Sequence, residues 1–120
     1  MNILIADDEL RLRKIVSTFL KKNNYNVTEV ANGEQAVSAM RAQRFDLVIL
    51  DITMPIMSGL EACQVIKSDP VLKDVPIVLL TASVSAEERA KSVEIGVSGY
   101  ITKPFSPKDL IDKIARLTNQ

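Results

Sequence analysis

Four short apolar runs in this chain end in side chains that can do chemistry. Ile3-Leu4-Ile5-Ala6 runs out into Asp7-Asp8-Glu9, and Leu47-Val48-Ile49-Leu50 into Asp51. Ile77-Val78-Leu79-Leu80 is followed by Thr81, and Gly99-Tyr100-Ile101-Thr102 by Lys103. If the runs are neighbouring strands, Asp7, Asp8 and Asp51 converge in one crevice, where crowding raises carboxylate pKa values and costs stability. A hard divalent cation relieves that crowding, and Mg²⁺, which takes oxygen ligands and keeps several waters, suits a shallow carboxylate cluster. A hydroxyl, an ammonium and a metal around one carboxylate make an anion-stabilising site of the kind phosphoryl transfer requires. Singly, an aspartate after a strand reads as a helix cap, Thr81 as a turn residue and Lys103 as a solvated surface lysine. Together, complementary groups on four strand ends read as a site.

Composition narrows the remaining chemistry. There is no histidine, which excludes Ser-His-Asp and Cys-His nucleophile systems and any His-containing zinc site, and means that the chain cannot itself carry a phosphohistidine. The single cysteine, Cys63, rules out an intramolecular disulfide and a CxxC motif, as fits a reducing cytoplasm. Fifteen Lys+Arg balance fifteen Asp+Glu, so no cationic excess favours nucleic acid or an anionic membrane surface. No apolar run approaches the roughly 20 residues of a membrane span, and the first residues lack a signal-peptide pattern. A soluble protein of the cytoplasm is expected.

The elements that must hold these groups alternate in period. The three apolar runs ending at Ala6, Leu50 and Leu80 are continuous, as in parallel strands covered on both faces. Asn26-Val27-Thr28-Glu29-Val30 alternates polar and apolar and is placed at a sheet edge; Gly99-Tyr100-Ile101-Thr102 is a short fifth strand. Leu12, Ile15, Val16, Phe19 and Leu20 follow helical spacing, leaving Arg11, Lys14, Lys21 and Lys22 to solvent. Ala36, Val37 and Met40 mark a second helix. Ser58-Gly59-Leu60-Glu61 opens a third with a capping box, and Asp69-Pro70 stops it near Ser68. Ser85-Ala86-Glu87-Glu88 opens a fourth that ends before Gly96, and Ser106-Pro107 a fifth. The expectation is one α/β domain over residues 1–120, a (βα)5 doubly wound five-stranded parallel sheet of order 2-1-3-4-5, with its functional crevice at the carboxyl ends of strands 1 and 3.

With those pieces in order, the chain resembles a response-regulator receiver domain of two-component signalling, the CheY-like, flavodoxin-like topology. The resemblance rests on Ile5-Ala6-Asp7-Asp8-Glu9, Leu50-Asp51-Ile52-Thr53-Met54-Pro55-Ile56-Met57-Ser58-Gly59, Leu80-Thr81-Ala82 and Gly99-Tyr100-Ile101-Thr102-Lys103-Pro104-Phe105. It spans essentially the whole chain. The resemblance implies that Asp51 accepts a phosphoryl group from a histidine kinase or histidine phosphotransfer protein. It implies that Asp8, Asp51 and the backbone carbonyl of Thr53 ligate Mg²⁺, that Asp7 assists through water, and that Thr81 and Lys103 hold the phosphoryl oxygens. It also implies a cis Lys103-Pro104 peptide. Thr81 and Tyr100 become the switch: the hydroxyl moves to the phosphoryl group, Tyr100 turns inward, and the face of helix 4, strand 5 and helix 5 changes its affinity for an effector or output domain. The chain is then a signalling phosphoacceptor that catalyses its own phosphotransfer and dephosphorylation. It would be a monomer or a phosphorylation-dependent dimer without direct contact to nucleic acid or membrane.

Departures from the family pattern refine the expectation. Ser58 stands where Asp is usual before Gly59 and still caps the helix. Val97-Ser98-Gly99 lacks the paired Asp of DNA-binding regulators and resembles chemotaxis-type regulators. Thr53 and Ser83, each two positions beyond a site residue, are placed along the path of the hydrolytic water, where they would set the phosphoryl lifetime. A haloacid-dehalogenase-type phosphatase would need a second Asp where Thr53 stands. An FMN carrier would have its phosphate repelled by Asp7-Asp8-Glu9. A pseudo-receiver that binds without phosphorylation is disfavoured by the complete acidic set. Ending at Gln120, just after helix 5, the chain is read either as a free-standing regulator or as a receiver from a longer protein.

Overall fold

The computed structural model describes residues 1–81, 90, 94–103 and 105–118. Five parallel strands, β1 (Asn2–Ala6), β2 (Asn26–Val30), β3 (Leu47–Asp51), β4 (Ile77–Thr81) and β5 (Gly99–Thr102), form one sheet in the order β2-β1-β3-β4-β5. Between them lie α1 (Leu10–Lys22), α2 (Gly33–Ala42) and α3 (Gly59–Ser68), and after β5 comes the C-terminal helix (Pro107–Thr118). The expected architecture and strand order are those observed.

Continuous apolar runs are what a sheet covered on both faces demands, because alternate side chains go to opposite layers. Leu4, Val48, Leu50, Ile77 and Leu79 bury into one layer with α2 and α3 residues such as Ala36, Met40, Ala62 and Ile66. Ile3, Ile5, Leu47, Ile49, Val78 and Leu80 bury into the other with Val16 and Leu20 of α1 and Leu110 and Ile114 of the C-terminal helix. The alternating strand β2 lies at one edge, as its pattern requires.

Helix ends follow local chemistry. Asn32 caps α2 by accepting from the Gln35 amide at 2.8 Å. Ser58 and Glu61 make the expected reciprocal capping box on α3, which stops at Ser68 before Asp69. The Ser106 hydroxyl accepts from the Asp109 amide at 3.1 Å at the start of the C-terminal helix. The helix expected from Ser85, Ser83 itself and the Lys103-Pro104 peptide lie outside the described residues, although Glu94 and Ile95 are helical and Gly96 turns the chain with φ +91°.

One expectation is corrected. The stripe assigned to the buried face of α1 included Ile15, which is 54% exposed, whereas Ser17 is buried. The helix is rolled about its axis relative to a purely apolar fit, and the polar contacts of its neighbour Arg13, described below, accompany that roll.

Candidate functional site

β1 and β3 are paired with Ala6 opposite Leu50, so the next residues, Asp7 and Asp51, stand side by side at the strand ends. β4 pairs with β3, placing Leu80 opposite Asp51, and β5 pairs with β4, placing Thr102 opposite Thr81. The Lys103 amide then donates to the Thr81 carbonyl at 2.6 Å, which brings the lysine round to the same edge. Parallel pairing thus gathers groups from four separate stretches of chain.

Asp7, Asp8 and Asp51 each offer a carboxylate oxygen, all within 4.8 Å of one another. Asp7 is fully buried, Asp51 nearly so, and Asp8 is exposed. Lys103 Nζ lies 3.4 Å from Asp51 Oδ2 and 3.6 Å from Asp7 Oδ2. Burial, then the charge of Asp7, push the Asp51 pKa from 3.8 up to about 6; Lys103 and the Thr53 amide hold it down. Asp51 is nevertheless mostly ionised at neutral pH. Thr81 is buried at the end of β4, Thr53 is exposed in the loop after β3, and Tyr100 is half-buried against the core layer of α2 and α3.

Neither first-strand aspartate caps α1. The cap residue is Glu9, without a side-chain cap hydrogen bond. Asp7 Oδ1 instead accepts from the Glu9 amide at 2.9 Å, a local turn that orients its carboxylate. Its other oxygen, Oδ2, is buried without a hydrogen-bond partner among the described residues. A buried carboxylate oxygen seldom stays unsatisfied, and this one belongs to a residue whose carboxylate, with those of Asp8 and Asp51, is close enough to share a cation. The donor set, all hard oxygen, fits Mg²⁺.

The loop from Ile52 to Ser58 forms one wall. Gly59 at the start of α3 donates its amide to the Ile52 carbonyl at 2.9 Å, and a Cβ there would press into the Asp51 carbonyl oxygen well inside contact distance. Only glycine lets the helix approach the phosphoacceptor candidate this closely. Ile56 is 76% exposed with φ +69°, and the Met57 amide bonds back to the Pro55 carbonyl at 2.7 Å, a strained three-residue turn. On the other side an apolar groove of about 410 Å³, lined by Leu12, Ile15, Phe19, Phe105 and Leu110, opens beside Lys103. A larger cavity of about 670 Å³ lies at the opposite end of the sheet and contains none of these residues.

Comparison with known proteins agrees with this geometry. Residues 3–115 match the family described as response regulator receiver domain. The chain belongs to the response regulator receiver domain family. It is 36% identical over 115 residues to the transcriptional regulatory protein ResD of Bacillus subtilis (strain 168), covering 96% of this chain and 47% of that protein. It is 41% identical over 121 residues to the probable transcriptional regulator ycf27 of Guillardia theta, covering 98% and 46%. The chain therefore spans just under half the length of these curated relatives. Among solved structures, the chemotaxis protein CheY4 of Vibrio cholerae superposes with a TM-score of 0.92 at 32% identity, covering 97% of each chain. The receiver domain of the sensor histidine kinase PA1611 from Pseudomonas aeruginosa PAO1 matches with a TM-score of 0.91 at 29% identity, covering 99% and 98%, and carries a magnesium ion coordinated in its active-site cleft. This receiver domain is thus a module of two-component signalling. None of the described helices is long and apolar enough to cross a membrane.

Two features of the site escaped the sequence. Gly59 was legible in a capping box and in the family motif but not as a close contact of the Asp51 backbone, and Arg13 carried no local signal. The Arg13 side chain, only 15% exposed, reaches from α1 to Glu29 on β2 and to the backbone of Asp7.

Proposed function

We propose that this receiver domain takes a phosphoryl group onto Asp51 from a phosphohistidine on a histidine kinase or histidine phosphotransfer protein. An Asp51 oxygen forms the new P–O bond, the P–N bond to the partner's imidazole breaks, and the imidazole, already protonated on its other ring nitrogen, takes the bonding pair and leaves as neutral imidazole. Mg²⁺ would be held by Asp8, Asp51 and the Thr53 carbonyl, with Asp7 acting through water, and when bound it supplies positive charge for the equatorial oxygens of the transferring group. Lys103, 3.4 Å from Asp51 Oδ2, would supply a second positive charge, and Thr81 a hydroxyl donor. Asp51 itself is held by β3, by the close approach of Gly59 and by Lys103, so little reorganisation precedes in-line attack.

The single observation that carries this reading is the position of Asp51: a nearly buried carboxylate between two other acids and an ammonium 3.4 Å away. Such a group is crowded while free, and a partly neutralised oxygen nucleophile when a cation and a phosphoryl group arrive. Once modified, it gains strong acceptor oxygens and a further negative charge. Thr81 moves to meet them, Tyr100 repacks inward, and the surface formed by the residues before β5, β5 and the C-terminal helix shifts between two affinities for an effector or an output domain. The protein is a signalling phosphoacceptor that also catalyses its own dephosphorylation, with Thr53 and Ser83 setting the lifetime. It works in the cytoplasm, as a monomer or as a dimer formed on phosphorylation, without itself binding nucleic acid.

The test is incubation with acetyl phosphate and Mg²⁺ followed by intact mass. A phosphate-sized gain that disappears on adding a chelator supports the reading. No gain from acetyl phosphate or from a histidine phosphotransfer donor rejects it.

A further inference from the structure

Asp7 and Asp8 can bind a cation only if both carboxylates turn toward Asp51, and something must hold the chain between them. Around Asp7 nearly every other polar group is fixed. Its amide donates to the Val30 carbonyl of β2 at 3.2 Å, and its Oδ1 accepts from the Glu9 amide. Its carbonyl accepts from Arg13 Nη1 at 2.8 Å. That carbonyl belongs to the peptide plane joining Asp7 to Asp8, so the bond sets the rotation of the plane and with it the direction of the Asp8 side chain. Among the described residues Oδ2 is the one polar atom of Asp7 left without a hydrogen bond, and it lies 3.6 Å from Lys103 Nζ.

Arg13 can hold this plane because it is itself anchored. Its Nε donates to Glu29 Oε1 at 3.1 Å, and Lys14 Nζ lies 3.1 Å from the other oxygen of the same carboxylate. Arg13 and Glu29 are 15% and 14% exposed, so this pair is largely withdrawn from water. A guanidinium presents N–H groups in several fixed directions at once, and can bridge a carboxylate on one element and a carbonyl on another. An ammonium of similar reach satisfies one of them as a point charge.

We propose that Arg13 is a positioning residue for the cation site: anchored on Glu29, it locks the Asp7–Asp8 peptide so that both carboxylates face Asp51. This rests on the reading of Asp7, Asp8 and Asp51 as the Mg²⁺ site. Outer contacts that orient metal ligands characteristically affect metal affinity about 10–100-fold.

The sign of the effect separates positioning from simple charge. On Coulomb grounds alone, removing a cation bonded to the Asp7 backbone, near the acidic cluster, tightens Mg²⁺ binding. Loss of a positioning contact weakens it. The experiment is calorimetric titration of Mg²⁺ into the metal-free protein, with urea unfolding of each metal-free variant alongside, for wild type, Arg13→Ala, Arg13→Lys and Asp8→Ala. Arg13→Ala is expected to raise the Mg²⁺ dissociation constant about 10-fold, and Arg13→Lys, which keeps the charge but not the double bridge, to give a smaller rise. Arg13→Ala with wild-type or tighter Mg²⁺ binding overturns the proposal, even if its unfolding midpoint falls. Should Arg13→Ala fail to fold, Arg13→Lys decides, and wild-type affinity in that variant overturns the proposal. Asp8→Ala keeps the two readings apart: if it binds Mg²⁺ like wild type, the site itself is misassigned. If it loses Mg²⁺ while Arg13→Ala does not, only the positioning role fails.

Discussion

Replacing Asp51 by Asn should stabilise the metal-free protein, and only at neutral and alkaline pH. In the folded state the Asp51 pKa is raised from 3.8 to about 6, mainly by burial and secondly by the charge of Asp7. Ionising it therefore costs the folded state more than the unfolded one. Well below the ordinary value of 3.8 both states are protonated there and the cost is absent. It grows as pH rises from about 4 to 6 and is complete above that. At about 1.4 kcal/mol per pH unit, the rise corresponds to about 3 kcal/mol. The side chain is only 10% exposed, so solvent screens little of it. Asparagine has the same shape and never ionises, so Asp51→Asn should exceed wild type by on the order of 2–3 kcal/mol at pH 8, with most of that gap gone near pH 4. Urea unfolding in chelator-treated buffer at several pH values reads this difference directly. Saturating Mg²⁺ should then raise wild type alone. Equal stabilities at pH 8, or a gap of the same size at pH 4 and pH 8, would refute the reasoning.

Lys103→Ala removes a cation that holds the Asp51 pKa down, so the titration of Asp51 should move above about 6; carboxyl-carbon NMR titration checks it, and an unchanged or lower value contradicts the assignment. Gly59→Ala places a methyl against the Asp51 carbonyl oxygen, and overpacking of this kind should cost about 1–3 kcal/mol in urea unfolding and slow labelling by acetyl phosphate. Ile56→Gly relieves a left-handed conformation worth about 1–2 kcal/mol for an L-residue, against about 0.5–1 kcal/mol of added chain entropy. A net stabilisation of up to about 1.5 kcal/mol is expected from denaturant melts, and a clear loss of stability would contradict the strain inferred from its φ of +69°.

The sheet was legible because its signals are local and redundant. Continuous runs such as Leu47–Leu50 suit a strand covered on both faces, and the polar alternation of Asn26–Val30 suits an edge. The order of the strands then put Asp7, Asp51, Thr81 and Lys103 on one rim without any knowledge of side-chain contacts. What stayed hidden depends on approach between distant elements. Arg13 and Glu29 are joined across a helix and a strand, and nothing in either segment distinguishes them from solvent-facing charges. The misplacement of Ile15 follows from the same gap: helical spacing registers apolarity but not a half-buried arginine that competes for the inward face. Gly59 is indistinguishable from any first-turn glycine until the Asp51 backbone is seen against it.

The most direct measurement is the chemical identity of residue 51 after phosphoryl transfer. Borohydride reduction of protein treated with acetyl phosphate and Mg²⁺ converts an aspartyl phosphate to homoserine, which peptide mass spectrometry then locates. Homoserine at position 51, and at no other carboxylate, is the predicted result. Homoserine at Asp7 or Asp8 with Asp51 intact, or none anywhere in protein that has gained phosphate, would contradict it.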